Sequence, residues 1–182
     1  MKFNALPLKG AYTIDLDKRE DDRGFFARYW CKEEFSKMGL DTTIAQINNS
    51  MSRQRGTLRG LHFQRPPKSE TKIVRCIYGA IWDVIVDVRV NSPTYGQWFG
   101  TELNAENRIM MYVPKGFAHG FQTLADNVEL IYLHSEFYSQ KNEGGLLYND
   151  QNVGIEWPLA ISEISERDKI HPILSKLHPI EL

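Results

Sequence analysis

The sequence predicts an all-β protein in a single domain, residues 1–182, with small helical decorations. Two observations carry this. Apolar and polar residues alternate with the two-residue period of a strand in several runs. Turn residues then separate the runs at the spacing of a sandwich or barrel, at Ser92-Pro93, Gly96, Asn104, Pro114-Lys115-Gly116 and Asp126-Asn127. A chain of 182 residues buries a substantial core without disulfides or metals to staple it.

The elements follow in order. Ala11 to Leu16 places Tyr12, Ile14 and Leu16 on one face, the pattern of a half-buried strand. Asp21-Asp22-Arg23-Gly24 is a turn before Phe25, Phe26, Tyr29 and Trp30. Lys32 to Met38 is expected as a short helix with Phe35 and Met38 inward and Gly39 as its stop. Lys72 to Ile77 and Ile81 to Val90 read as two strands joined by a short loop at Tyr78-Gly79. In the second, Trp82, Val84, Val86, Val88 and Val90 form a packed face. The opposite face carries Asp83, Ile85, Asp87 and Arg89, which suits either solvent or the lined interior of a barrel. Ile109 to Val113 is another strand, and Val128 to Leu133 another with Val128, Leu130, Tyr132 and His134 on one side.

Composition excludes several functions. Lysine and arginine total 22 against 23 acidic residues, a net charge of -1, so nothing in the balance calls for a nucleic-acid partner. Cys31 and Cys76 lie far apart and outside any CxxC pair, as expected of reduced thiols in a cytoplasmic protein. The first residues lack the apolar stretch of a secretory signal, and the longest apolar run is broken by Asp83, Asp87 and Arg89, so no membrane partner is expected. Asn48-Asn49-Ser50 fits a glycosylation sequon by spacing alone.

Arg53 to Gln64 concentrates three arginines, two glycines and His62 in a segment whose second half is strand-forming. Charge carried among apolar side chains describes either a pocket for an anion or an exposed turn followed by a strand. Spacing argues against a metal, although one histidine from each of two strands could still meet: a mononuclear barrel site favours His-x-His, whereas this chain has His62-Phe63-Gln64, with Pro66-Pro67 before the nearest glutamate, Glu70. A histidine oriented by a carboxylate is instead a proton-transfer base near neutral pH, and Asp83 and Asp168 are the candidate carboxylates. Lys72 suits an oxyanion partner and Tyr132 a proton donor, although a strand-edge lysine, a core tyrosine and a turn-capping Asp168 fit the same pattern.

Six collinear blocks narrow the alternatives. They are Asp22-Arg23-Gly24-Phe25-Phe26, Gly56 to Gln64, Gly79 to Arg89, Ser92 to Gly96, Pro114 to Phe121, and Asn149-Asp150 followed by Ile155-Glu156-Trp157-Pro158. Together they closely resemble the dTDP-4-dehydrorhamnose 3,5-epimerase family, and Pro114-x-Gly116-x-x-His119 resembles the second motif of the wider cupin superfamily. The resemblance implies a cupin-type β jelly roll, a homodimer that exchanges strands, no cofactor and no metal. It implies a nucleotide-diphosphate 4-keto-6-deoxy sugar as substrate, epimerised at C3 and C5.

By the same resemblance His62 is the base, Asp168 orients it, Tyr132 is the acid on the opposite face and Lys72 steadies the enolate oxygen. Asp83 and His119 support that pocket. Arg23 and Arg59 match the diphosphate clamps, Gln46, Asn48 and Glu143 match positions that contact nucleotide or sugar, and Tyr138 stands where a ring stacks on the base. Two positions depart from the family pattern: Arg28, where glutamate is usual beside the nucleotide, and Arg167, where lysine is common. The first leaves open a GDP-, CDP- or UDP-linked sugar; inversion at one centre, a metal-dependent cupin and a sugar-binding cupin are further alternatives. Arg59 and His62 have opposite parity on a regular strand, so the joint assignment requires an irregularity at Gly60.

Overall fold

The computed structural model describes residues 1–182. Its strands are β1 (Lys2–Ala5), β2 (Tyr12–Asp15), β3 (Lys18–Asp21), β4 (Gly24–Ala27), β5 (Gln46–Ser52), β6 (Thr57–Gln64) and β7 (Lys72–Tyr78). They continue with β8 (Ala80–Asp87), β9 (Trp98–Asn104), β10 (Met110–Val113), β11 (Phe117–Thr123), β12 (Val128–His134), β13 (Glu143–Gly145) and β14 (Glu163–Ile164). Helices are confined to α1 (Lys32–Lys37), α2 (Glu166–Lys169) and a 3-10 turn at Leu174–Lys176.

Two sheets pack face to face as a jelly roll. One runs β1-β2-β10-β7-β12-β5 and the other β13-β6-β11-β8-β9, with β14 beside β6. Alternation decides what lies between them. Val74, Cys76, Val128 and Leu130 from the first sheet meet Ile81, Ile85, Phe117 and Phe121 from the second. The outer face of the second sheet, with Leu61, Val84, Val86 and Val88, is covered by the C-terminal stretch through Leu146, Val153, Leu177 and Ile180. Phe35 and Ile14 cover the outer face of the first through Ile73, Met110 and Leu133.

Both faces of β8 are therefore buried, and the face carrying Asp83 and Asp87 is interior rather than solvated. Val90, expected on the packed face, lies beyond the end of the strand and is 41% exposed. The loop at Tyr78-Gly79 does not make a hairpin: β7 and β8 belong to different sheets, and the chain turns the corner between them. Gly79 makes that corner with a positive φ of 75°, against Val128. Helix α1 buries Phe35 and stops before Gly39 (φ 68°), but Met38 is 41% exposed, contrary to expectation. It is the C-cap of a six-residue helix, too short to turn a second apolar residue inward.

The irregularity expected at Gly60 is present. His119 of β11 faces His62 while Phe121 faces Arg59, so β6 spends one extra residue between those pairs. Gly60 has φ 128°, and a Cβ there would sit 2.5 Å from the Gly120 Cα. The bulge restores Arg59 and His62 to one side of the strand, where both line the same cavity. Replacing Gly60 with alanine is expected to cost about 2 kcal/mol or more, from a disallowed φ combined with overpacking against β11. A urea denaturation midpoint equal to wild type would contradict this account of the bulge.

Candidate active site

A cavity of about 660 Å³ opens between the sheets. β5 contributes Asn48, β6 Arg59 and His62, β7 Lys72, β11 His119, and β12 Tyr132 and His134. Arg167 closes one side from α2. His62 and Tyr132 belong to opposite sheets, which pack roughly 10 Å apart in such folds and so leave room for one sugar-sized ring between them.

Asp168 organises the wall behind His62. Its Oδ1 is 2.7 Å from His62 Nε2, its Oδ2 accepts from the Gly60 N–H at 3.0 Å, and His171 Nε2 lies 3.5 Å from Oδ1. Ser165, the N-cap of α2, accepts from the Asp168 N–H and sets the residue's position. Burial opposes ionisation of the carboxyl, but donors from His171, His62 and Gly60 outweigh it and hold Asp168 far below the usual carboxylate range. An ionised Asp168 only accepts, so His62 Nε2 carries the proton and Nδ1 keeps the free lone pair. Burial also lowers the His62 pKa; the Asp168 charge pulls it back up, and the Lys72 and Arg167 charges push it down again. The net shift is downward, so at neutral pH His62 is an unprotonated base.

His119 and Asp83 share the sheet of His62, and Tyr132 and Lys72 face them from the other sheet. His119 Nε2 is 2.7 Å from Asp83 Oδ1, and its ring meets Tyr132 edge-on at 6.3 Å. Burial pushes the Tyr132 phenol above its ordinary value, so it stays protonated. Lys72 is 8% exposed, and its Nζ is 3.3 Å from the His62 carbonyl and 3.3 Å from Glu70 Oε1. Such an arrangement has the chemistry to take a proton from one face of a ring, return one to the other, and hold fixed positive charge for an oxyanion.

The remaining predicted residues separate into two groups. At the cavity rim, Arg59 donates to Ser52 Oγ and the Met51 carbonyl, and Gln46 Oε1 accepts from the Tyr138 N–H. Tyr138, 60% exposed, donates to Glu143, which binds Arg167 at 2.7 Å, whose Nη2 is 3.2 Å from His62 Nε2. Arg23 and Arg28 lie elsewhere in the chain's own fold. Arg23 is at the β3–β4 turn against Asp21, with its side chain 90% exposed, and Arg28 pairs with Glu34, which also holds the Met1 amine. His134, Glu70 and His171 were not picked out from the sequence. For His134 the signal was its place two residues beyond Tyr132 on one strand face; for Glu70 and His171, which arrive from loops, no period pointed inward.

His62, Asp168 and His171 also form a group whose donor atoms lie within 4.8 Å of one another. The Arg167 guanidinium against the same His62 nitrogen repels a cation there, and the Asp168–His62 hydrogen bond occupies two of the three donors. The set fits a proton relay better than a metal centre.

Fold and site define a cupin-type jelly roll whose cavity sets His62 and Tyr132 on opposite sheets among Arg59, Lys72 and Arg167. The sequence pattern of the dTDP-4-dehydrorhamnose 3,5-epimerase family matches residues 5–176. The chain belongs to that family. It is 44% identical over 158 residues to the dTDP-4-dehydrorhamnose 3,5-epimerase of Salmonella typhimurium, covering 86% of each chain. The structure of dTDP-4-dehydrorhamnose 3,5-epimerase from Elizabethkingia anophelis superposes with a TM-score of 0.93 at 39% identity, over 96% of this chain and 97% of that one. A dTDP-6-deoxy-D-glucose-3,5-epimerase from Legionella pneumophila, in complex with dTDP-4-keto-L-rhamnose, gives 0.91 at 31% identity, over 100% and 98%.

The charges around His62 set the direction of its titration. By NMR its midpoint is expected below 6.5, the ordinary histidine value. Arg167→Gln removes a repelling cation and should raise that midpoint; Asp168→Asn removes the attracting carboxylate and should lower it. A midpoint above 6.5 in the wild type, or both variants moving together, would contradict these assignments.

Proposed function

We propose that the protein inverts C3 and C5 of dTDP-4-dehydro-6-deoxyglucose to give dTDP-4-dehydrorhamnose. The observation that carries this reading is one cavity with His62, held by Asp168 of α2, on one sheet and Tyr132 facing it from the other. The C4 ketone makes the neighbouring C–H bonds acidic. His62 takes the carbon-bound proton, and the bonding pair moves toward O4, where Lys72 meets the developing charge. The pair then returns to carbon and takes the Tyr132 proton from the opposite face, which inverts the centre. The ketone itself is the electron sink, so this route calls on no cofactor.

Arg59 serves as a diphosphate clamp in this reading, with a guanidinium suited to two oxygens at once. Asn48, Gln46, Glu143 and Tyr138 serve the nucleotide side at the rim, and Asp83 with His119 holds Tyr132 in place. Arg23 serves the same clamp from a second copy, and the working unit is a homodimer. Its support is the β3–β4 hairpin, whose Phe25 and Phe26 are 42% and 74% exposed, and the open edge strand β5, with Ile47 at 63%. Free Cys31 and Cys76, the latter pushed up to about 12 by burial, accord with a cytoplasmic setting. No helix is long and apolar enough to cross a membrane.

Incubating dTDP-4-dehydro-6-deoxyglucose with the protein in deuterated water is expected to exchange hydrogen at both C3 and C5 by NMR. Exchange at one centre alone would reduce the reading to a mono-epimerase, and none would overturn it. His62→Ala should slow exchange by about 10³-fold or more while dTDP affinity stays within a few-fold. Mixing His62→Ala with Arg23→Ala protein should restore part of the activity, because a mixed dimer assembles one intact site; no recovery would place Arg23 outside the neighbouring site.

A further inference from the structure

Gln64 ends β6 two residues beyond His62, and the chemistry described above makes no use of it. Its side chain is buried, at 4% exposure, and a buried amide is costly unless its N–H groups and its oxygen find partners. Those partners are all backbone groups of two loops. Nε2 donates to the Phe137 carbonyl at 3.2 Å and to the Lys68 carbonyl at 3.0 Å, while Oε1 accepts from the Ser139 N–H at 2.6 Å. The reversed amide would set its oxygen against two carbonyls, so one orientation is fixed.

The residue enclosed by these contacts is Tyr138. Its own N–H goes to Gln46 Oε1 at 3.1 Å, so three successive residues are held by two glutamines, one at the start of β5 and one at the end of β6. The same loop is docked on the turn after β6. Glu136 pairs with Lys68 at 3.2 Å, Asn142 Nδ2 donates to the Pro66 carbonyl at 3.1 Å, and the Asn142 carbonyl accepts from the Arg65 N–H at 2.7 Å. The Tyr138 backbone is therefore held on both sides, whereas the residue stays 60% exposed with its hydroxyl on Glu143. An exposed aromatic ring on a fixed backbone is a preorganised stacking platform: its ordering is completed on folding, and binding does not have to supply it.

We propose that Gln64 is a positioning residue for the nucleobase, holding Tyr138 in place before the ligand arrives. The inference rests on the nucleotide-sugar reading, in which Tyr138 stacks on the base. The Gln64 amide is committed to the two loops, so its influence passes through Tyr138. It acts equally on the ground state and the transition state, because the base keeps its place while the sugar reacts. Such an interaction shows in nucleotide affinity and leaves turnover nearly unchanged.

The experiment measures the dTDP dissociation constant by titration calorimetry and kcat by hydrogen exchange of dTDP-4-dehydro-6-deoxyglucose in deuterated water. Gln64→Met keeps the length of the side chain and removes its amide; the dTDP dissociation constant is expected to rise about tenfold, with kcat within about threefold of wild type. In a Tyr138→Ala background the same substitution should change the dissociation constant less than about twofold, because the platform it serves is gone. A merely structural role would lower affinity equally in both backgrounds. That result, wild-type dTDP affinity in Gln64→Met, or a loss carried mainly by kcat would overturn the proposal. If Gln64→Met does not fold, Gln64→Glu decides, since it keeps the shape and loses the amide N–H groups: weaker dTDP binding with kcat near wild type supports the role, and wild-type affinity or a loss carried by kcat overturns it. Wild-type affinity in Tyr138→Ala would overturn the stacking role of Tyr138 and the proposal with it. Failure of the wild-type protein to bind dTDP would overturn the nucleotide-sugar reading itself, a result distinct from failure of a Gln64 variant.

Discussion

The carboxylate of Asp168 ties the site together. One oxygen takes the His62 Nε2–H and the other takes the Gly60 N–H, so a single side chain orients the His62 ring and secures the bulge that presents it. Deleting it would leave a buried amide without a partner, at a cost of about 1–3 kcal/mol, and would free the imidazole to choose either tautomer. The contact spans 106 residues, from β6 to the short helix α2. Proper folding of the C-terminal stretch over the second sheet is thus a condition for His62 to be held in this orientation.

The same logic explains how a β-sandwich interior tolerates so many ionisable groups. An isolated charge between two sheets is costly, and such groups persist only when paired and hydrogen-bonded. Here each imidazole at the cavity is matched to its own carboxylate: His62 to Asp168, His119 to Asp83, and His134 to Glu70. Lys72 joins the third pair and reaches the His62 carbonyl, so it bridges the two sheets. Apolar packing on either side, through residues such as Leu130 and Phe121, keeps water from relaxing these contacts. All three pairs are set around the one cavity.

Much of this architecture was legible in the chain itself. Strict alternation in β8 and β12 places Asp83 and Tyr132 by face, and opposite parity at Arg59 and His62 demands a bulge between them. The turn at Asp22-Arg23 also fell where the β3–β4 hairpin closes. Other features were not legible. Tyr78-Gly79 read as a short loop, yet whether such a loop closes a hairpin or crosses between sheets depends on partners far along the chain. Met38 had the spacing of an inward residue, but its helix ended too soon to bury it.

By itself the sequence determined which residues face inward along each strand, because side-chain direction is a local consequence of backbone period and turn chemistry. It determined the family as well, through ordered blocks of residues spread over the chain. Only the tertiary structure decided which carboxylate meets which imidazole, since those partners are separated by 36, 64 and 106 residues and no local rule links them. It alone brought Glu70 to Lys72 and His134, and left Arg23 on an exposed hairpin away from the cavity of its own chain. Such pairings follow from how two sheets close on one another, and that closure is a property of the whole core.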